Sequence, residues 1–151
     1  MNARGHHKHG EYLVRHADIP GLSKHQQAVV ACLVRYHGDS MPDLHHRLYS
    51  SLADADRTRV HQLAALLRIA VALDAGGTQA VRRVDAKIQR RTILIRMATT
   101  SEAQVNLREL RRKTKLFERE FGLLLRFACV RRIQNGNAAR RNGLIAGRSA
   151  A

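Results

Sequence analysis

Tryptophan is absent from this 151-residue chain, aromatic residues make up only 4% of it, and it has two prolines and two cysteines. A core must therefore rest on Leu, Ile, Val and Ala. Cys32 and Cys129 lie in separate apolar runs, which excludes a disulfide framework; both are expected to be buried, reduced thiols of a cytoplasmic protein. No stretch approaches the roughly 18 apolar residues of a membrane-spanning helix, so a membrane partner is not expected, and no apolar segment follows Met1 as a secretory signal requires. A P-loop, a Gly-rich dinucleotide fingerprint and a nucleophile elbow are all missing, which leaves no catalytic residue to nominate. Acidic residues are scarce too: 12 stand against 27 Lys and Arg, giving a formal net charge of +15.

What is present is a 44% hydrophobic fraction, enough for a folded core, and a charge that favours polyanions. Nucleic acid, polyphosphate, nucleotide phosphates and an acidic membrane surface are the candidate classes. Scarce aromatics leave no stacking platform for single strands, so nucleic acid is not favoured. All nine histidines lie at or before His61, whereas residues 131–151 carry five arginines and no acid. Two different units thus share the chain, followed by a basic tail expected to be disordered.

The punctuation is clear. A helix is expected from His6 to Ala17, broken by Asp18-Ile19-Pro20-Gly21. Ser23 with Gln26 forms a capping box for a second helix ending near His37. That helix carries Val29, Val30, Cys32, Leu33 and Val34 and is too apolar for a surface position. After a loop at 38–44, a long helix runs from about Asp54 to Asp74, with Val60, Leu63, Ala64, Leu67, Ala70 and Val71 at spacings of three and four. Gly76-Gly77 ends it and marks a domain boundary. The period then changes to two. Val84, Ala86 and Ile88, then Ile93, Ile95 and Met97, predict two strands joined at 89–91. A helix over 102–120 and a strand over 123–130 complete a β-β-α-β unit. The fold class is therefore α+β: a helical domain over 1–76, a small α+β domain over 77–130 and a tail over 131–151.

Five ordered segments resemble the Ppx/GppA phosphatases, the exopolyphosphatases and guanosine pentaphosphate phosphohydrolases. The run from His6 to Val14, HHKHGEYLV, is similar to that family's HHKHSxYLI; Asp18 to Ser23 resembles DLPGFS; Val34-Arg35-Tyr36-His37 matches VRYH. Arg57 to Asp74 resembles RVxxLAALLRIADALD, and Leu110 to Gly122 resembles LxxLRRKADLFEEVFG. The likeness extends from about His6 to Phe127.

The family has two actin-like domains, which hold the catalytic glutamate, the phosphate loops and the Mg2+ used in catalysis. An HD-like helical domain and a small α/β domain follow. The resemblance therefore implies a C-terminal part, with an incomplete HD-like domain and neither the actin-like domains nor the HD dyad. Such a chain is expected to bind no cofactor of its own and to be inactive alone. It is also expected to contact a second copy or the missing domains.

Two constellations stand out. His6, His9 and His16 could share a helix face, with His37 ending the next helix, a donor set suited to zinc or a redox metal. However, Val71 occupies the place of the family's late aspartate and cannot coordinate, so no metal site is expected. His9, Arg15, Lys24, Arg35, His37 and Arg68 come from three helices that the family fold would bring together as a polyphosphate-binding set. Ordinary surface charges or helix-end pairs are the competing reading of these six. The leading expectation is a polyphosphate or guanosine-polyphosphate binding and dimer-contact module. An HD-type metal phosphohydrolase, a basic nucleic-acid-binding protein and a non-functional gene remnant are the alternatives.

Overall fold

A computed structural model describes residues 5–74, 77, 79–99 and 106–131. The basic tail expected over 131–151 lies, after Arg131, outside these residues. Five helices and three strands follow one another as α1 (His6–His16), α2 (Lys24–Tyr36), α3 (Arg47–Ser50), α4 (Asp54–Leu73), β1 (Val81–Gln89), β2 (Thr92–Thr99), α5 (Leu107–Phe121) and β3 (Leu124–Arg131). This is an α+β architecture with a β-β-α-β second half.

α1 and α2 form an antiparallel hairpin. Gly5, at φ 97°, starts α1 without a side-chain cap. In contrast, Ser23 and Gln26 close a full capping box at the start of α2. Gln27 is buried and locks the hairpin turn: its Nε2 donates to the carbonyl oxygens of Val14 and Ala17, both at 2.6 Å. At Gly10 the two helices come so close that a Cβ would lie 2.6 Å from Val34 Cγ1.

α4 packs against both α2 and α5. The residues it buries are Asp56, Val60, Ala64, Ala65, Arg68, Ile69 and Ala72. Leu63, Leu66, Leu67 and Val71 stay largely exposed. The face expected from periodicity is thus partly wrong. From Leu63 onward α4 is apolar on most sides, so spacing alone does not choose its inner side there, and three alanines let its neighbours approach closely. α3, unexpected from the sequence, buries Leu48 and Tyr49 between the helices.

The sheet order is β1-β2-β3. β1 and β2 are an antiparallel hairpin turning at Arg90, whose φ is 51°. β2 and β3 run parallel, with α5 as the crossover. Asn106 caps α5, accepting from the Glu109 amide at 3.0 Å, so the helix starts later than expected; the residues just before Asn106 lie outside the described set. α5 and the inner face of β2 and β3 bury Ile95, Met97, Leu110, Leu116, Phe117 and Leu125. β1 is exposed along most of its length, although Val84 and Ile88 pair with Met97 and Ile93 and so share their face. Cys32 is buried, and burial pushes its thiol up to about 12. Cys129, expected to be buried, is exposed.

Candidate polyanion site

The antiparallel hairpin dictates which side chains can meet. The N-terminal turn of α1 lies beside the C-terminal turn of α2. The His6 ring centroid is 5.7 Å from His7 and 5.5 Å from His37. His7 is partly buried, and its pKa is lowered first by burial and then by the nearby charges of His6, Arg35, Lys8 and His37. Five potentially cationic side chains therefore gather at one end of the hairpin.

One member of this cluster has a carboxylate partner. Glu11 pairs with Arg35 Nη1, and only 14% and 15% of the two side chains is accessible. Arg35 Nε–H is buried without an acceptor. His37 Nδ1 lies 2.7 Å from the Val34 carbonyl oxygen, which fixes its ring against the end of α2. Behind the cluster, Tyr36 hydroxyl and His46 Nδ1 share a hydrogen bond of 2.8 Å. The pKa of His46 is lowered, first by burial and then by Arg35.

The six residues nominated from sequence do not all converge. Arg35 and His37 belong to the cluster. His9 is exposed on α1. Arg15 and Lys24 sit at the opposite, turn end of the hairpin, and Lys24 Nζ reaches Gln27 Oε1 at 3.4 Å. Arg68 is 5% exposed. Its Nε donates to the Tyr36 carbonyl oxygen at 2.9 Å, and Nη2 donates to the Ser40 carbonyl oxygen, so it anchors the loop after α2. His6, His7 and Lys8 were not among the six. The antiparallel register of α1 and α2 was the signal that would have found them.

Among the described residues, no three His, Cys, Asp or Glu side chains are placed to hold a metal ion. His6, His9 and His16 thus do not form a donor set, and Val71 lies on the exposed side of α4. No described helix is long and apolar enough to cross a membrane.

A second polar junction joins the helices to α5. His61 on α4 lies 3.0 Å from Glu120 Oε1 through Nδ1 and 2.7 Å from the Tyr49 hydroxyl through Nε2. Lys113 on α5 donates to Asp39 Oδ1 at 2.6 Å. Both contacts tie α5 to the helical half.

Residues 1–114 match the family model described as Ppx/GppA phosphatase, domain III.

Proposed function

Because the chain belongs to the Ppx/GppA phosphatase family, we propose that it binds linear polyphosphate or a guanosine polyphosphate in the cytoplasm. Binding occurs at the cationic end of the α1–α2 hairpin, and the helical part over 1–76 serves as an HD-like module. In this reading the 151 residues bind the phosphoanhydride chain and contact a second copy, and do not cleave the chain themselves. The observation that carries it is the gathering of His6, His7, Lys8, Arg35 and His37 at one end of the hairpin, where Glu11 pairs with Arg35.

The chemistry suits an extended phosphate chain. Arginine offers a planar fork to phosphate oxygens, and lysine offers a mobile point charge. The pKa of His7 is lowered by burial first and by neighbouring cations second, and an arriving phosphate opposes that bias by favouring imidazolium. Glu11 neutralises Arg35 until a stronger anion competes for it.

The test is titration of the purified chain with long-chain polyphosphate at several salt concentrations. Affinity should fall steeply with ionic strength, and Arg35→Ala and His7→Gln should each weaken it. Affinity that ignores salt and both substitutions would refute the site. Equal affinity for duplex DNA at matched salt would favour a general nucleic-acid role instead. Phosphate release above blank, abolished by a substitution within residues 1–75, would show that the chain is itself a hydrolase.

A further inference from the structure

The sheet has a free edge. In the order β1-β2-β3, β1 has a hydrogen-bonded neighbour on one side only among the described residues. Its outward N–H and C=O groups are of the kind that a further strand takes up. The two sides of β1 differ in chemistry. Val84, Ala86 and Ile88 stand opposite Met97, Ile95 and Ile93, on the side that α5 covers. The cover stops short of β1, and Val84 and Ile88 are 47% and 70% exposed. Arg83, Asp85 and Lys87 lie on the other side of the sheet, together with Arg96 of β2 and Arg126 of β3.

That outer side is basic. Its four cations stand against one acid, and all five side chains are exposed. Asp85 is already held by Arg83, whose Nη2 lies 2.9 Å from its Oδ1, which leaves Lys87, Arg96 and Arg126 in excess. Charges on an edge strand discourage indiscriminate pairing, so a cationic edge turns basic strands away. An acidic strand reverses the sign of the same interaction.

We propose that β1 takes up an extended segment of another protein as a fourth strand, a segment in which acidic and apolar residues alternate. A strand spacing of about 4.8 Å sets its acidic side chains beside Arg83 and Lys87 and its apolar ones beside Val84 and Ile88. The occupant comes from outside the chain, which has 12 acidic residues against 27 Lys and Arg and, over 131–151, five arginines and no acid. Edge-to-edge pairing with a second copy would join two faces that each carry surplus cations. Polyphosphate would meet the charges but has no use for a backbone edge or for Val84 and Ile88. This surface is separate from the hairpin site and does not depend on it.

The probe is a fluorescein-labelled peptide of about eight residues, alternating valine and glutamate, titrated with the full chain at fixed salt and read by fluorescence anisotropy. Binding should saturate. A peptide of the same composition, with its valines and glutamates in two blocks, should bind at least about tenfold more weakly. N-methylation of every second amide tests the backbone. One of the two methylated sets should abolish binding and the other should spare it, because a strand offers a single edge to β1. Ile88→Glu and Lys87→Glu should each weaken binding by about fivefold or more. Both replace exposed side chains, and circular dichroism checks that each variant is folded. An alternating peptide that does not bind at up to about a millimolar overturns the proposal. Equal affinity for the blocked peptide also overturns it, leaving a surface for any polyanion, polyphosphate included. Indifference to both substitutions overturns it as well, since the peptide would then bind elsewhere.

Discussion

Arg68 donates its Nε–H to the carbonyl oxygen of Tyr36 at 2.9 Å, inside the helical core. The same guanidinium reaches Ser40 and places Nη1 3.1 Å from Met41 Sδ, so one side chain of α4 fixes the chain leaving α2. Burial lowers its pKa, the direction expected when a cation leaves water and is met by carbonyl dipoles and only a distant acid, Asp39.

Replacing Arg68 should therefore act on stability. Arg68→Met removes the charge but leaves two carbonyl oxygens without their donors, at a loss of about 2–4 kcal/mol. Arg68→Lys keeps the charge but lacks the fork, and should fall between the two. Urea unfolding measures both. If Arg68 served the anion directly, polyphosphate affinity would drop while the unfolding midpoint stayed in place.

Glu11 offers the opposite experiment. In Glu11→Gln, Arg35 remains buried with no carboxylate, which should destabilise the chain by about 3 kcal/mol. A bound phosphate would supply the missing charge. Polyphosphate should thus raise the melting temperature of Glu11→Gln by more than it raises that of the parent chain. Equal shifts would mean that the ligand does not meet Arg35.

Much of this organisation is legible in the sequence, because its local rules are strong. Ser23 and Gln26 announce the start of α2, Asp18 to Gly21 announce the break, and the period-two run after Val84 announces a sheet. What stays hidden depends on long-range choices. α4 has leucine or alanine on most sides, so only contact with α2 and α5 decides that Ala64 and Ala65 go in and Leu66 and Leu67 stay out. Arg68 reads as a surface cation until its carbonyl partners come from the loop after α2. The site is half legible for the same reason: Arg35 and His37 are visible as an unusual end to an apolar helix. His6, His7 and Lys8 join them only through the antiparallel register of α1.

Acid should weaken the fold in two steps. The pKa values of His7 and His46 lie below 6.5 in the folded chain, through burial first and neighbouring cations second. Between those values and 6.5 the unfolded chain binds more protons, so stability is lost as pH falls from 6.5 towards the folded values. Asp39 and Asp56 are lowered below 3.8, chiefly by hydrogen bonds from Lys113 and His25, so their contribution is full above 3.8 and lost below it. Urea midpoints against pH should show both falls, and His7→Gln should shrink the first. Polyphosphate affinity should move the other way in the first window, tightening as His7 gains its proton beside phosphate. An affinity flat from pH 8 to pH 5.5 would exclude histidine from the contact.

Gly10 tests whether the hairpin register itself builds the site. An added Cβ would sit 2.6 Å from Val34 Cγ1, and valine is stiff about χ1, so the neighbour cannot simply turn aside. Alanine gains about 1 kcal/mol of helix propensity over glycine. Overpacking costs about 1–3 kcal/mol, so Gly10→Ala should be neutral to destabilising by up to about 2 kcal/mol. The more telling effect is geometric. Pushing α1 off α2 separates His6 and His7 from Arg35 and His37, so polyphosphate affinity should fall by more than stability does. Trimming the obstacle in Gly10→Ala/Val34→Ala should restore the approach and recover affinity, even though the smaller side chain packs less well. If the double variant binds no better than Gly10→Ala, the close approach at Gly10 is not what assembles the cationic end of the hairpin.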